Sequence, residues 1–238
     1  MDTLPLEGDL HHPQGLSPRA PGRAAGWWVT TVDLRMGRAR LVAFDANGRR
    51  TTDLDLTDGA RIHPGGCGLD ADGLLWVPVA EYRPGGSTRV VTVGDDGTVA
   101  SRFEFPDHLG FLVARPDGRL VAGTWGSRSL LLLDRAGAVL ERVENPQHLV
   151  DYQDATARAD GTVLATGTSA AYGRHHGGLA VLGEDLSLRL LRPVPDRSPT
   201  DRPVTFNATW CEPGEGGSVL WAVPDDGGAA LLRLDLPI

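Results

Sequence analysis

The amino-acid sequence predicts an all-β protein, a five-bladed β-propeller with four strands per blade whose last blade is closed by an N-terminal strand. Asp-Gly turns recur at Asp72-Gly73, Asp117-Gly118 and Asp160-Gly161, spaced by 45 and then 43 residues, a period that suits one four-stranded blade. The same kind of strand follows each turn: LLWVPVAE at 74–81, RLVAGTWGS at 119–127 and TVLATGTS at 162–169. A second motif, an apolar run ending in an acidic turn, interleaves with the first, so each repeat holds two hairpins. No helical apolar period of useful length competes, and 31 glycines with 17 prolines suit a turn-rich chain.

Taken in order, TLPLEGDL (3–10) is strand-like and precedes the first repeat. GWWVTTVD (26–33) and LVAFDANG (41–48) belong to blade one, and LLWVPVAE with VVTVGDDG (90–97) to blade two. RLVAGTWGS pairs with LLLLDRAG (130–137) in blade three, and TVLATGTS with LAVLGEDL (179–186) in blade four. Blade five has SVLWAVPDD (218–226) and LLRLDL (231–236) and then runs out of chain, so residues 3–10 are expected to supply its outer strand. Closure of this kind leaves no long unpaired edge. A β-sandwich shares the short strands but does not explain the recurrence. The longest irregular stretch, RPVPDRSPTDRP (192–203), reads as a solvated loop between blades four and five, with a mobile flap as the alternative. The 238 residues read as one domain, 1–238.

Composition narrows the function. The net charge of −8 and the lack of a basic stripe argue against a nucleic-acid partner. All 23 basic residues are arginine, which removes Schiff-base lysine chemistry and Walker-type phosphate binding. Cys67 and Cys211 have no CxxC or zinc-finger spacing and read as small buried side chains. The N-terminus has no basic start followed by an apolar run, and no stretch of about 18 apolar residues occurs. The expectation is therefore a cytoplasmic protein without a membrane partner.

In a propeller blade the innermost strand starts at the same face of the disc to which the second strand returns. His63, His108 and Asp151 each lie nine positions before their Asp-Gly turn and so start inner strands at one level. His12 and Gln14 take that place in blade one and Asn207 in blade five. The returning strands add Asp33, Glu81, Gly126 beside Trp125 and Arg128, Ser169 and Asp226, and a following loop adds Tyr172, Arg174, His175 and His176. The register thus predicts a polar ring over one channel mouth. The opposite face receives turns.

Imidazoles beside carboxylates are the usual parts of acid–base catalysis. The first reading is a lyase, cyclase or isomerase acting on a small molecule, with His63 or His108 moving a proton and Glu81 or Asp154 orienting the ring. Trp125 would stack on the substrate and Arg128 clamp a carboxylate. Gln14, Tyr82, Asp151, Tyr152, Asn207 and Tyr172 complete the expected binding set. The second reading is a hydrolase of a lactone or ester using one divalent metal ion held among His63, His108, Glu81 and Asp151. The third is a propeller that binds a ligand or protein without chemistry. Polar residues at strand entrances also serve to stitch neighbouring blades together. No nucleotide-cofactor fingerprint and no GxSxG elbow occurs.

The stretches HPGG (63–66), WVPVAEYRP (76–84), DHLG (107–110), WGSR (125–128), NPQH (145–148) and DYQD (151–154) resemble an uncharacterised bacterial and fungal propeller family, a domain of unknown function. GLDADGLLWV (68–77) also resembles, more distantly, the streptogramin lyase and senescence-marker/gluconolactonase propellers. That resemblance implies a ligand site in the central opening and carries no catalytic residue over.

Overall fold

Turn chemistry sets where the strands end. In the computed structural model, which describes residues 1–19, 26–145, 147, 149–171, 173–214, 217–225 and 227–236, the Asp70 carboxylate accepts the N–H groups of Asp72 and Leu74 at 3.0 and 2.9 Å. Gly73 closes the turn onto the Asp70 carbonyl at φ 77°, a left-handed conformation that a residue without Cβ adopts freely. The second turn family uses Gly48, Gly97 and Gly137 at that place, but its fourth copy puts Leu186 there at φ 58°. Leu186 is fully buried. Burial worth about 2 kcal/mol offsets a left-handed strain of roughly 1–2 kcal/mol.

The chain opens with β1 (Asp2–Pro5). Blade one holds β2 (His12–Pro18), β3 (Gly26–Asp33), β4 (Arg38–Asp45) and β5 (Arg50–Asp55). In blade two the inner position is shared by β6 (Arg61–Pro64) and β7 (Gly68–Leu69), followed by β8 (Leu75–Glu81), β9 (Thr88–Val93) and β10 (Val99–Phe105). Blade three holds β11 (Leu109–Ala114), β12 (Leu120–Thr124), β13 (Ser129–Leu133) and β14 (Val139–Glu144). Blade four holds β15 (Asp151–Ala157), β16 (Val163–Ala171), β17 (Arg174–Leu182) and β18 (Leu188–Val194). Blade five holds β19 (Asn207–Gly214), β20 (Gly217–Pro224) and β21 (Ala230–Leu236), and β1 completes it with Asp2 opposite Arg233 and Pro5 opposite Ala230. The five sheets are those of a five-bladed propeller, closed as the sequence predicts.

The apolar core lies between blades. Leu41 and Trp28 of blade one meet Val77 and Val91 of blade two, and Trp76 of blade two meets Leu112 and Leu131 of blade three. Leu6 and Leu10, which follow β1, seal the join between blades five and one with Leu16 and Val223. Of the stretch 192–203, residues 192–194 belong to β18. The rest is tied down, since Arg197 pairs with Asp201 and the Ser198 N–H donates to the Arg202 carbonyl at 2.8 Å. Among the described residues no helix is long and apolar enough to cross a membrane.

The propeller axis is filled rather than open. Between β6 and β7 the inner strand of blade two breaks, and Gly66 crosses to blade three: its N–H donates to the Gly110 carbonyl at 2.9 Å and its carbonyl accepts from the Leu112 N–H at 3.0 Å. A Cβ on Gly66 would lie 2.4 Å from Asp154 Oδ1, and one on Gly15 would lie 2.8 Å from the Gly66 Cα. Asp154 is fully buried at this level. Its Oδ2 accepts the N–H groups of Leu16 at 2.8 Å and Thr209 at 3.0 Å, and its Oδ1 that of Ala155 at 2.9 Å. One carboxylate joins blades one, four and five and leans on blade two, forming a septum across the axis.

Candidate functional site

The residues just before this septum line a cavity of about 260 Å³. The inner strands of blades one, three and four carry a register shift beside the cavity, between Pro13 and Gly15, Leu109 and Phe111, and Tyr152 and Asp154, and that of blade two shifts between Arg61 and His63. The extra residue at each of the first three shifts, Gln14, Gly110 or Gln153, lines the cavity. A bulge re-aims the side chain at its own position. On the far side of the septum lies a smaller pocket of about 180 Å³, mostly apolar, lined by Leu69, Val113, Ala155 and Trp210 among others.

Imidazole and aromatic rings form the cavity wall. His63 stacks on Tyr82 with centroids 4.5 Å apart and planes at 8°, and it meets His108 at 5.1 Å with the planes tilted by 43°. Trp125 stands edge-on to His108 at 4.7 Å and tilts against Tyr82 at 5.7 Å. The Trp125–Ser127 turn that presents it depends on Gly126 at φ 59° and holds Ser127 inward, where the Ser127 Oγ accepts the Tyr152 N–H at 2.6 Å. Blade three is thereby fastened to blade four beside the site.

Each imidazole has a distinct environment. His108 Nδ1 donates to the Glu81 carbonyl at 2.8 Å, because a carbonyl only accepts, and Nε2 is left with the lone pair. No group among the described residues bonds that Nε2. Burial lowers the His108 pKa against the opposing pull of the Glu81 carbonyl and Asp107. His63 is held well below the ordinary histidine value, first by burial and then by the neighbouring His108 and His12. Its Nδ1 is buried and unpartnered among the described residues. His12 Nδ1 donates to Asp225 Oδ2 at 2.7 Å, a carboxylate that orients the ring. Burial, with Asp225 nearby, raises the pKa of Tyr82.

His63, His108, Gln14, Tyr82, Trp125, Asp151, Tyr152 and Asn207 therefore meet at one cavity, as the register places them. Other expected pairings are corrected by the structure. The Glu81 carboxylate turns away to the Ser87 hydroxyl at 2.9 Å and to Arg83 at 2.7 Å, bonds that lower its pKa, and the residue serves His108 through its carbonyl. Asp154 does not pair with His108. It is committed to backbone N–H groups in the septum, and burial pushes its carboxyl well above the usual range against their pull. Arg128 lies outside the cavity lining and is ion-paired with Asp151, so it is not an unengaged clamp. The four metal candidates do not form a common donor set, because Glu81 and Asp151 face these other partners. Among the described residues no group of three His, Cys, Asp or Glu is placed to hold a metal ion.

Tyr172 and Asp226 lie outside the described residues. Asp33 accepts the Met36 N–H at 3.0 Å and Ser169 sits in β16 opposite His176; neither lines the cavity. His175 packs edge-on against Phe206, itself a lining residue, at 5.0 Å. Sequence reasoning missed Asp225, Gln153, Thr124 and Phe206. Asp225 stands one residue before the expected Asp226, a hint the VPDD stretch contained, whereas no periodicity marks the bulge that turns Gln153 inward.

Residues 29–236 match the Family of unknown function (DUF6454). The chain belongs to this family. A comparison with curated proteins finds no match. Solved structures share the propeller architecture of this family member at low identity. A protein of unknown function from Bacteroides caccae is 12% identical with a TM-score of 0.59, covering 93% of this chain and 81% of its own. A gluconolactonase from Xanthomonas campestris is 17% identical with a TM-score of 0.56, covering 99% and 89%. The virginiamycin B lyase of Staphylococcus aureus, solved as an inactive variant with quinupristin, is 14% identical with a TM-score of 0.51, covering 96% and 68%. At these identities the likeness is one of fold.

Proposed function

We propose that this propeller is a small-molecule enzyme that runs acid–base chemistry in the cavity over the septum, with His108 as the proton acceptor. The observation that carries the reading is the fixed tautomer: the Glu81 carbonyl occupies Nδ1, so the lone pair of a buried, neutral imidazole is on Nε2 in a cavity wall. A neutral imidazole near physiological pH is the usual general base. His12, oriented by Asp225, is the second proton-transfer group, and Trp125 with Tyr82 gives the substrate an aromatic face to lie on. Removal of one proton by His108 and delivery of another from a protonated His12, with both rings reset by exchange with water, is the proton traffic of a lyase, cyclase or isomerase. That enzymes with lyase and lactonase names share the fold supports a catalytic reading over a purely binding one.

Proton abstraction can be read before the reaction is known. The protein is incubated in deuterated water with a panel of small cyclic esters, sugars and ketones, and proton NMR follows loss of C–H signal or appearance of product. Exchange or turnover is expected, falling by about 10²–10⁴-fold in folded His108→Gln. Binding with no exchange on any panel member, or an undiminished rate in folded His108→Gln, would overturn the assignment.

A further inference from the structure

We infer that the ligand of this cavity is uncharged and oxygen-rich, presenting an acceptor oxygen to the Asn207 amide and one ring face to Trp125, and that carboxylates and phosphates are excluded. This rests on the reading of the cavity as a small-molecule acid–base site and specifies what that site takes.

Two lining side chains ask for a partner that the described residues do not supply. Asn207 is 4% exposed and its Nδ2 donor has no acceptor among the described residues, and His63 is 6% exposed with an Nδ1 that is likewise unpartnered among them. Asn207 is also held at φ 77°, at the very start of β19, a conformation that few side-chain-bearing residues adopt. A donor withdrawn from water is unfavourable until something answers it, and an amide N–H is answered by a carbonyl, ether or hydroxyl oxygen. Gln14, by contrast, already gives its amide to the Pro13 carbonyl at 3.1 Å.

Charge excludes the commonest alternative. Arg128, the guanidinium at the rim, is engaged by Asp151, and His12 by Asp225. Among the described lining residues Asp151 is the one carboxylate, and no arginine lines the cavity. An anion entering here would lose its water and meet no uncommitted cation among the described lining residues. A volume of about 260 Å³ falls below the roughly 300–1,000 Å³ usual for drug-sized ligands, which suits a single small ring.

The experiment compares matched neutral and anionic probes on the wild-type protein: a lactone and its ring-opened hydroxy acid, a uronic acid methyl ester and the free acid, a hexose and its phosphate ester. NMR shifts of the Trp125 indole N–H and the His63 ring report cavity binding. Neutral members are expected to bind at least about tenfold more tightly than their anionic partners, and folded Asn207→Asp to lose about tenfold for the neutral member. An anionic member that binds as well or better, or neutral probes that all leave both signals unmoved, would overturn the inference. The wild-type comparison decides even if the variant misfolds. A neutral probe that binds without C–H exchange would leave this inference standing while removing the catalytic reading, and exchange confined to an anionic substrate would do the reverse.

Discussion

The septum and the cavity above it are built from the same inner strands, one to three residues apart, yet they treat buried polar groups in opposite ways. Asp154 is fully buried and both its oxygens accept backbone N–H groups. His63 and Asn207 are nearly as buried and each keeps a nitrogen without a partner among the described residues. A satisfied buried carboxylate ties blades together; unsatisfied buried nitrogens represent stability forgone, which in the proposed function a bound molecule restores. The difference separates architecture from function inside a single polar column, which residue type alone does not do.

The largest effect should come from the satisfied side. Asp154→Ala strands the N–H groups of Leu16, Ala155 and Thr209, at about 1–3 kcal/mol each, so a loss of roughly 3 kcal/mol or more is expected in urea unfolding. A loss below about 1 kcal/mol would break the distinction. Gly66→Ala should follow at about 1–3 kcal/mol, because its Cβ would meet Asp154 Oδ1 and, at 2.8 Å, the Phe111 Cβ.

On the unsatisfied side the sign reverses. His63→Phe keeps a ring against Tyr82 and removes the unanswered nitrogen, so stability should hold or rise by up to about 1 kcal/mol while ligand binding falls. The same variant sharpens the pH dependence. His63 and His108 have folded pKa values below the ordinary 6.5, so below that value the unfolded chain binds more protons than the folded one. Stability should therefore fall as the pH drops below the unfolded value, by at most about 1.4 kcal/mol per pH unit for each proton. His63→Phe should make the fall shallower, and an unchanged slope would count against a neutral His63. Arg128→Gln should do least, changing stability by less than about 1 kcal/mol and leaving neutral-ligand affinity intact, since the Arg128–Asp151 pair is half-exposed at the rim.

The repeat made the architecture legible. Turn spacing gave the blades, and the shortfall in the last blade pointed to the N-terminal closing strand because a missing outer strand is a deficit that can be counted. The level of His63, His108, Asp151, Gln14 and Asn207 was legible for the same reason. What each side chain touches was not. Register assigns a residue to a height along the axis, but Glu81 acts through its carbonyl, which every residue has, and Asp154 is drawn inward by N–H groups on three blades. The HPGG stretch meant something that pattern reading passed over: Gly66 is where the inner strand of blade two leaves its sheet for blade three, with no room for a Cβ.

The most direct test of the account is long-range proton–nitrogen NMR of the imidazole rings near pH 7, with His108 assigned through His108→Gln. The expected result is a neutral His108 carrying its proton on Nδ1, with an unprotonated Nε2 that shifts when a cavity ligand is added. An imidazolium at that pH, or a neutral ring protonated on Nε2, would contradict the assignment of His108 as the base.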